Sequence, residues 1–221
     1  MTKNTTTSLP KNRVLHGDCI DLMRGLPSES VDFVLTDPPY IVRYTSRDGR
    51  KIAGDDTTDW IKPAFEQVYR LLKPDSYVVS FYGWNAVEHF MRGWKHAGFV
   101  PVSHFVWHKR YASKSGFTRA HHENAYLLAK GNPPKPDKPL SDVLPWRYSG
   151  NSYHPTQKPV MALLPLVETF CPPGGIVLDP FAGSASTAVA AKKCGRNFLC
   201  IEKDGTYYGI ARRRLGLTDD A

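Results

Sequence analysis

The chain has 221 residues, of which 29 are lysine or arginine and 21 are aspartate or glutamate, so its formal net charge is +8 at pH 7. This length suits one compact domain with a sizeable core, and a hydrophobic content of 41% excludes a disordered chain. No run reaches the roughly 18 apolar residues of a membrane span, and residues 1–10 lack the apolar stretch of a signal peptide, so we expect a cytoplasmic protein with no membrane partner.

Strand-like and helix-like segments alternate along the chain. Short apolar runs predict strands, and apolar residues three or four apart predict helices. The proline-rich segment 131–145 is interpreted as an extended surface connection that cannot be a helix. In chain order, the pattern predicts a strand at 31–36, a helix at 60–72 stopped by Pro74, a strand at 77–82, a helix at 85–97 closed by Gly98, strands at 100–108 and 124–129, a helix at 159–170, a strand at 176–178, a helix at 186–193, a strand at 197–201 and a helix at 206–215.

This alternation predicts an α/β protein with a single domain over residues 1–221, built as a three-layer αβα sandwich around a Rossmann-like, mostly parallel sheet. We expect residues 1–11 to be flexible and residues 131–153 to form a short insert. Ligands of such sheets bind outside the carboxyl ends of the strands, so the loops after Leu178, Thr36 and Ile201 are the places where chemistry is expected.

The loop after Leu178 has the composition of a cofactor site. Residues 174–187 (GGIVLDPFAGSAST) contain a turn, an apolar strand, a loop of small residues and the start of a helix. Small residues let a ligand approach the backbone, and free amides at a helix start bind anionic groups. Glu202 follows Asp179 by 23 residues, close to the spacing of about 20 at which an acid accepts hydrogen bonds from a ribose. We therefore expect a nucleoside-containing cofactor; the alternative is a tight turn without a ligand. The missing GxGxxG pattern disfavours a nicotinamide dinucleotide.

The loop after Thr36 reads Asp37-Pro38-Pro39-Tyr40. The prolines stiffen the loop and leave carbonyl groups free to accept hydrogen bonds. A carboxylate, a rigid carbonyl and an aromatic face make a pocket for a planar ring with an exocyclic amine: Asp37 and the Pro38 carbonyl accept its two N–H groups, and Tyr40 stacks on the ring. The alternative is a turn that ends the strand.

Three motifs together resemble a known enzyme family. Residues 37–40 (DPPY), 179–184 (DPFAGS) and 154–159 (HPTQKP) are similar to the catalytic, cofactor and carboxylate-binding motifs of amino-group DNA methyltransferases that use S-adenosylmethionine. The catalytic motif precedes the cofactor motif, as in the β group of that family, and the resemblance extends over residues 14–215. It implies the class I methyltransferase fold, S-adenosylmethionine as cofactor and double-stranded DNA as partner.

The resemblance also implies roles for single residues. Asp37, Pro38, Pro39 and Tyr40 would hold the target amine. Thr156 and Lys158 would bind the methionyl carboxylate, and Glu202 the cofactor ribose. The element Gly17-Asp18-Cys19 implies contact between Asp18 and the cofactor adenine, with helix capping as the alternative for Asp18. The implied cofactor site is completed by Cys19, Asp179, Pro180, Phe181, Gly183 and Ser184.

The first residue of the catalytic motif bears on the target base. Within the family, Asp at this position indicates adenine N6, whereas Ser is commoner for cytosine N4. The resemblance thus implies methylation of the N6 of a flipped-out adenine. Within the enzyme class, the alternative is cytosine N4 methylation or action on RNA. An alternative of another class is a catalytically silent nucleic-acid-binding module of the same fold. The recognised DNA sequence and the existence of a cognate restriction nuclease stay open.

Two basic segments are candidates for phosphate contact, since excess positive charge favours polyanionic partners. Tyr44 lies within the first, and Tyr111 and Phe117 within the second; the alternative for each is a solvated loop. The short insert leaves little room for a target-recognition domain, and family members often dimerise, so a homodimer is one option. The candidate DNA-binding residues are Arg43, Arg47, Arg50 and Lys51 in the first segment, and Lys109, Arg110, Lys114 and Arg119 in the second.

Metal binding and disulfides are not expected. The four cysteines form no CxxC pair and have no histidine spaced to complete a zinc site. His121, His122 and Glu123 could suggest a metal site, but adjacent histidines do not share a helix or strand face, so a surface or DNA-facing role is expected.

Overall fold

The computed structural model describes residues 8–45, 49, 52–112, 116–147, 150, 153–154 and 156–217. Within these ranges, none of the helices is long and apolar enough to cross a membrane. The elements are β1 (Arg13–His16), α1 (Cys19–Arg24), β2 (Val31–Thr36), α2 (Ile61–Leu71), β3 (Leu72–Phe81), a 3-10 turn (Trp84–Ala86), α3 (Val87–Ala97), β4 (Val100–His108), β5 (His122–Lys130), β6 (Val143–Pro145), α4 (Val160–Phe170), β7 (Ile176–Asp179), α5 (Ser186–Lys193), β8 (Asn197–Glu202) and α6 (Gly205–Leu215).

The strands form one sheet in the order β1-β8-β7-β2-β3-β5-β4-β6. β5 pairs antiparallel with both β3 and β4, and the other pairings are parallel. In the described sheet, β5 is therefore the one reversed strand. The carboxyl ends of β2, β7 and β8 meet at one edge, here called the functional edge, and the start of β5 lies there too because Phe81 pairs with Ala125. The prediction of a mostly parallel, Rossmann-like αβα sandwich is confirmed.

Alternation along the strands divides the core between the two faces of the sheet. In β2, Phe33 and Leu35 belong to the cluster formed with α4, α5 and α6, whereas Val34 belongs to the cluster formed with α1, α2 and α3. Successive side chains of a strand point to opposite faces, so one apolar strand serves both helix layers. Helices of both layers pack against the central strands, and those strands carry the loops of the functional edge.

Three elements were not predicted, namely β1, α1 and β6. The expected stop of α2 at Pro74 is also wrong, because Leu72 already has extended backbone (φ −69°, ψ 136°) and Pro74 lies inside β3. The described part of the proline-rich segment contains no helix, and it leads into β6, which pairs with β4 at the sheet edge. Leu9, in the segment expected to be flexible, is buried in the α1–α3 cluster.

Candidate active site

A cleft of about 1320 Å³ lies at the functional edge. Its walls come from the loops after β2, β7 and β8, from the segment that precedes α4 and from the segment between β2 and α2. Every residue predicted for catalysis or cofactor binding lines it: Asp18, Cys19, Asp37, Pro38, Pro39, Tyr40, Thr156, Lys158, Asp179, Pro180, Phe181, Gly183, Ser184 and Glu202. The structure thus brings together segments that lie far apart in the sequence.

An ion pair dominates one end of the cleft. Lys158 Nζ lies 2.7 Å from Asp37 Oδ2, and the two side chains are 8% and 26% exposed. The same ammonium lies 5.0 Å from the ring centroids of both Tyr40 and Phe81, which is within the range of a cation–π interaction. We call this region, with Asp37, Tyr40 and Lys158, the target end.

Two polar atoms of the target end are buried without a partner. Asp37 Oδ1 and the Tyr40 hydroxyl have no hydrogen bond to any described residue. The hydroxyl lies close enough to lower the pKa of Asp37, but not in hydrogen-bonding geometry. Burial raises the pKa of the Asp37 carboxyl, and the Lys158 ammonium opposes that rise. Leaving a buried acceptor unsatisfied costs about 1–3 kcal/mol, so Asp37 Oδ1 can accept a hydrogen bond from a donor that enters the cleft, and the Tyr40 hydroxyl can donate or accept one.

The other end of the cleft is internally satisfied. Asp179, at the end of β7, is 3% exposed, and its Oδ1 accepts hydrogen bonds from Thr36 Oγ1 at 3.0 Å and from the Phe181 amide at 3.1 Å. Burial raises the pKa of Asp179 to about 7, while hydrogen bonds oppose the rise. The Phe181 ring is supported edge-on by Trp60, with centroids 5.0 Å apart. We call this region, with Asp179, Phe181 and Glu202, the cofactor end.

Glu202 closes the cofactor end at the carboxyl end of β8. Its Oε2 accepts from the Gly183 amide at 2.6 Å and its Oε1 from the Asp204 amide at 2.7 Å. Burial raises the pKa of Glu202 despite these bonds. Gly183 has φ +50°, which glycine adopts without the strain of a side chain. Two amides thus fix the carboxylate, whose remaining lone pairs can accept from a diol.

Asp18 has the capping role that was the alternative reading. Its Oδ1 accepts from the Ile20 amide at 2.9 Å and caps α1, while Oδ2 lies 3.1 Å from Lys203 Nζ. Asp18 also lines the cleft beside Cys19, so capping and ligand contact are compatible. Burial raises the pKa of the Cys19 thiol to about 12, which keeps it uncharged.

The two residues expected at a methionyl carboxylate differ in position. Thr156 is exposed, and its amide and hydroxyl lie 3.2 and 3.1 Å from His154 Nδ1. Lys158 is buried on Asp37 instead. Its ammonium already has an anionic partner inside the chain, and this contact, 121 positions apart in sequence, has no local signal.

The predicted phosphate-binding residues also divide. Arg43, Arg110 and Arg119 are exposed, as a phosphate contact requires. Lys109 is 2% exposed and its Nζ lies 2.7 Å from Glu123 Oε1 inside the cleft, so the expectation of a surface cation is wrong for this residue. Arg47, Arg50, Lys51 and Lys114 lie outside the described residues.

Sequence reasoning missed two supports of the site. A Cβ built on Gly83 would lie 2.4 Å from the Tyr40 carbonyl oxygen, so only glycine lets the catalytic loop pass this close to the end of β3. Arg214, in the last turn of α6, donates to the Ser184 carbonyl and to the Ser184 and Ser186 hydroxyls at 2.9–3.2 Å. Neither contact has a sequence signal, because each joins distant segments.

The described residues contain no group of three or more His, Cys, Asp or Glu side chains that could hold a metal ion. His121 Nδ1 lies 3.3 Å from the Lys109 carbonyl oxygen, and His122 lies in β5 opposite His108.

Comparisons with known proteins give the family of the chain and the likeness of its fold. A family model described as "DNA methylase" (N6_N4_Mtase) matches residues 31–213. "Putative methylase YubD" of Escherichia coli K12 is 52% identical over 210 residues, which are 95% of this chain and 92% of that protein. "DNA adenine methyltransferase YhdJ" of the same organism is 29% identical over 251 aligned positions, covering 91% of this chain and 82% of that protein. The crystal structure of an M1.HpyAVI–SAM complex superposes with a TM-score of 0.73 at 24% identity, covering 93% of this chain and 99% of that one, a likeness of fold.

Proposed function

The chain belongs to the DNA methylase family, and from that premise we propose that it transfers a methyl group from S-adenosylmethionine to the exocyclic N6 of an adenine flipped out of duplex DNA. One observation carries the proposal: the unpartnered Oδ1 of Asp37, buried beside the Tyr40 ring in a cleft whose other end is internally satisfied. An exocyclic amine supplies the N–H donor that this oxygen lacks, and a planar base supplies the partner for the ring.

The residues of the cleft fit the cofactor. Glu202 offers carboxylate lone pairs to a ribose, and Phe181 offers an aromatic face supported by Trp60. Asp37 and Asp179 line the cleft that would hold a cation, with Lys158 as the partner of Asp37. When bound, S-adenosylmethionine would supply a methyl group carried on a positively charged sulfur. On transfer of the methyl group to the amine nitrogen, the sulfur would become a neutral thioether and the nitrogen would lose a proton to solvent.

The target end acts on the amine by hydrogen bonding and position. Asp37 Oδ1 accepts one amine N–H and the Pro38 carbonyl the other, which turns the nitrogen lone pair away from the ring and toward the cofactor end. Tyr40 stacks on the base and offsets part of the few kcal/mol that unstacking costs. Fixed acceptors that stabilise the positive charge growing on nitrogen lower the barrier without reorganising.

Methylation of DNA by the purified protein tests the proposal. We expect labelled S-adenosylmethionine to transfer label to duplex DNA, and digestion to nucleosides followed by mass spectrometry to give N6-methyl-2′-deoxyadenosine. Asp37→Ala protein is the control for contaminating methylase. Absence of any labelled nucleoside would contradict the enzymatic reading and favour a silent binding module, and N4-methyl-2′-deoxycytidine would assign the alternative base.

The proposal extends to the DNA contact and the assembly. Exposed Arg43, Arg110 and Arg119 would neutralise phosphates around the cleft. A homodimer, which would enlarge a recognition surface limited by the short insert, stays a prediction; sedimentation with and without DNA tests it.

A further inference from the structure

The buried ion pair of the target end supports a role for Lys158 beyond cofactor binding. We propose that Lys158 is a positioning residue that fixes Oδ2 of Asp37, so that Oδ1 stays aimed at the target amine. This inference rests on the proposed methyl transfer for its chemical meaning. Its geometric basis is the 2.7 Å contact between two side chains that are 8% and 26% exposed.

The surroundings of the ammonium argue for this role. The rings of Tyr40 and Phe81 lie 5.0 Å from Nζ, so the ammonium is held between aromatic faces with Asp37 as its anionic partner. A Lys158 that moved to a cofactor carboxylate would leave Asp37 charged, buried and unpaired, an arrangement that proteins avoid. Thr156, which is exposed at the same cleft, contacts His154 and not a carboxylate.

A fixed Oδ2 decides what Oδ1 can do. A carboxylate held by one oxygen cannot rotate freely, so its second oxygen keeps one direction, and that oxygen is the buried atom without a partner. Without Lys158, Asp37 could turn either oxygen toward the Tyr40 hydroxyl and lose the orientation that in-line transfer needs. Lys158 would then act on the reaction through Asp37 and not by touching the base.

The charges around Asp37 determine the pH effect of losing Lys158. Facing Asp37 are the Lys158 ammonium, the Tyr40 hydroxyl, and the carboxyl groups of Glu123 and Asp179, with Glu123 paired to Lys109. Burial and the Glu123 charge raise the pKa of Asp37, whereas Lys158 lowers it. Removing Lys158 raises that pKa further. The ionised form that accepts an N–H then requires a higher pH, so the acid limb of the rate profile moves upward.

The test compares Lys158→Met, which keeps the stem and removes the charge, with Lys158→Arg, which restores a charge. Lys73→Met is the matched control, because Lys73 is also paired with an aspartate, Asp32. Lys73 lies at the start of β3, away from the cleft. We expect Lys158→Met to lower kcat about 100-fold at pH 7 and to move the acid limb up by about 1–3 pH units. The dissociation constant for S-adenosylmethionine should stay near that of wild type, with partial rescue by arginine. A higher dissociation constant for S-adenosylmethionine, with normal kcat and an unchanged acid limb of the rate profile, would assign Lys158 to cofactor binding and overturn the proposal.

A second measurement separates this inference from the proposed function. Urea unfolding of Asp37→Asn, Lys158→Met and the double variant measures the coupling of the two side chains without any turnover. We expect the double variant to be less destabilised than the sum of the single variants, because Lys158→Met alone leaves a buried carboxyl unpaired. Additive effects would overturn the pairing even in an active enzyme. If the unfolding free energies are coupled but the wild-type protein methylates no DNA, the proposed function is refuted and the pairing of Lys158 with Asp37 stands.

Discussion

The two ends of the cleft differ in how their polar groups are satisfied. At the cofactor end, Glu202 and Asp179 accept hydrogen bonds from amides and hydroxyls of the chain itself. At the target end, Asp37 Oδ1 and the Tyr40 hydroxyl are buried without a partner. One end is thus preformed, and the other is completed by what enters. Under the proposed function, the cofactor end binds S-adenosylmethionine and the target end carries the chemistry. Variants at the two ends should therefore change different kinetic constants.

The largest effect is expected for Asp37→Ala. The variant loses the acceptor for the amine, so we expect kcat to fall on the order of 1000-fold, comparable with loss of a hydrogen-bonding group that stabilises transition-state charge. Calorimetry should still detect S-adenosylmethionine binding, because the cofactor end is intact. Near-normal turnover would refute the assignment of Asp37, and circular dichroism checks that the variant folds.

Gly83→Ala should affect the target end of the cleft indirectly. The added Cβ would lie 2.4 Å from the Tyr40 carbonyl oxygen, so the catalytic loop must shift. A displacement of about 1 Å can cost about 100-fold in rate, and we expect a kcat loss of that order without weaker cofactor binding. Gly116→Ala is the matched control, since nothing lies within 4 Å of its added Cβ. Equal effects of the two substitutions would show that the close approach is unimportant.

Glu202→Gln tests the preformed end. Its amide nitrogen would face one of the two backbone donors now at 2.6 and 2.7 Å, and a charge-assisted bond is lost. We expect the dissociation constant for S-adenosylmethionine to rise about 10- to 30-fold, equivalent to about 1.5–2 kcal/mol, with kcat at saturation much less changed. Glu168→Gln, in exposed α4 surface, controls for the loss of charge. A fall in kcat with unchanged cofactor affinity would remove the distinction between the ends.

The smallest effects are expected outside the cleft. Arg110→Ala and Arg119→Ala each remove an exposed cation, and each should reduce the salt dependence of DNA binding by about 0.9 in log–log slope if it neutralises one phosphate. Lys109→Met removes a buried, paired cation and should leave the slope unchanged. Fluorescence anisotropy over a range of salt concentrations measures all three. Equal slopes for every variant would exclude the two arginines from the DNA interface.

The sequence predicted the parts of this molecule that depend on local pattern. The apolar runs of β2 and β7 are directly followed by Asp37 and Asp179, so both the strands and the position of the two loops could be inferred. β1 and β6 were missed because each is short and owes its conformation to a neighbouring strand, β8 or β4. α1 was missed because its six residues are too few to show a helical period.

Contacts between distant segments account for the rest. Lys158 meets Asp37 across 121 positions, and Arg214 meets Ser184 across 30. A motif identifies which residues matter, but the partner of a flexible cation depends on packing that sequence spacing does not encode. Lys109 illustrates this: its neighbours in sequence are basic and exposed, yet its own side chain turns inward to Glu123.

The reversed direction of β5 has a consequence for how such a protein can be extended. Because β4 ends and β5 begins at the functional edge, the chain leaves the sheet after His108 and returns to it at His122, and Lys109, Tyr111 and Ala112 line the cleft. A parallel neighbour would have carried its connection back across the sheet to the far side. Residues inserted into this hairpin connection would therefore add surface next to the cleft without changing the order of the strands. This makes it an entry point for grafting a new recognition segment onto the scaffold.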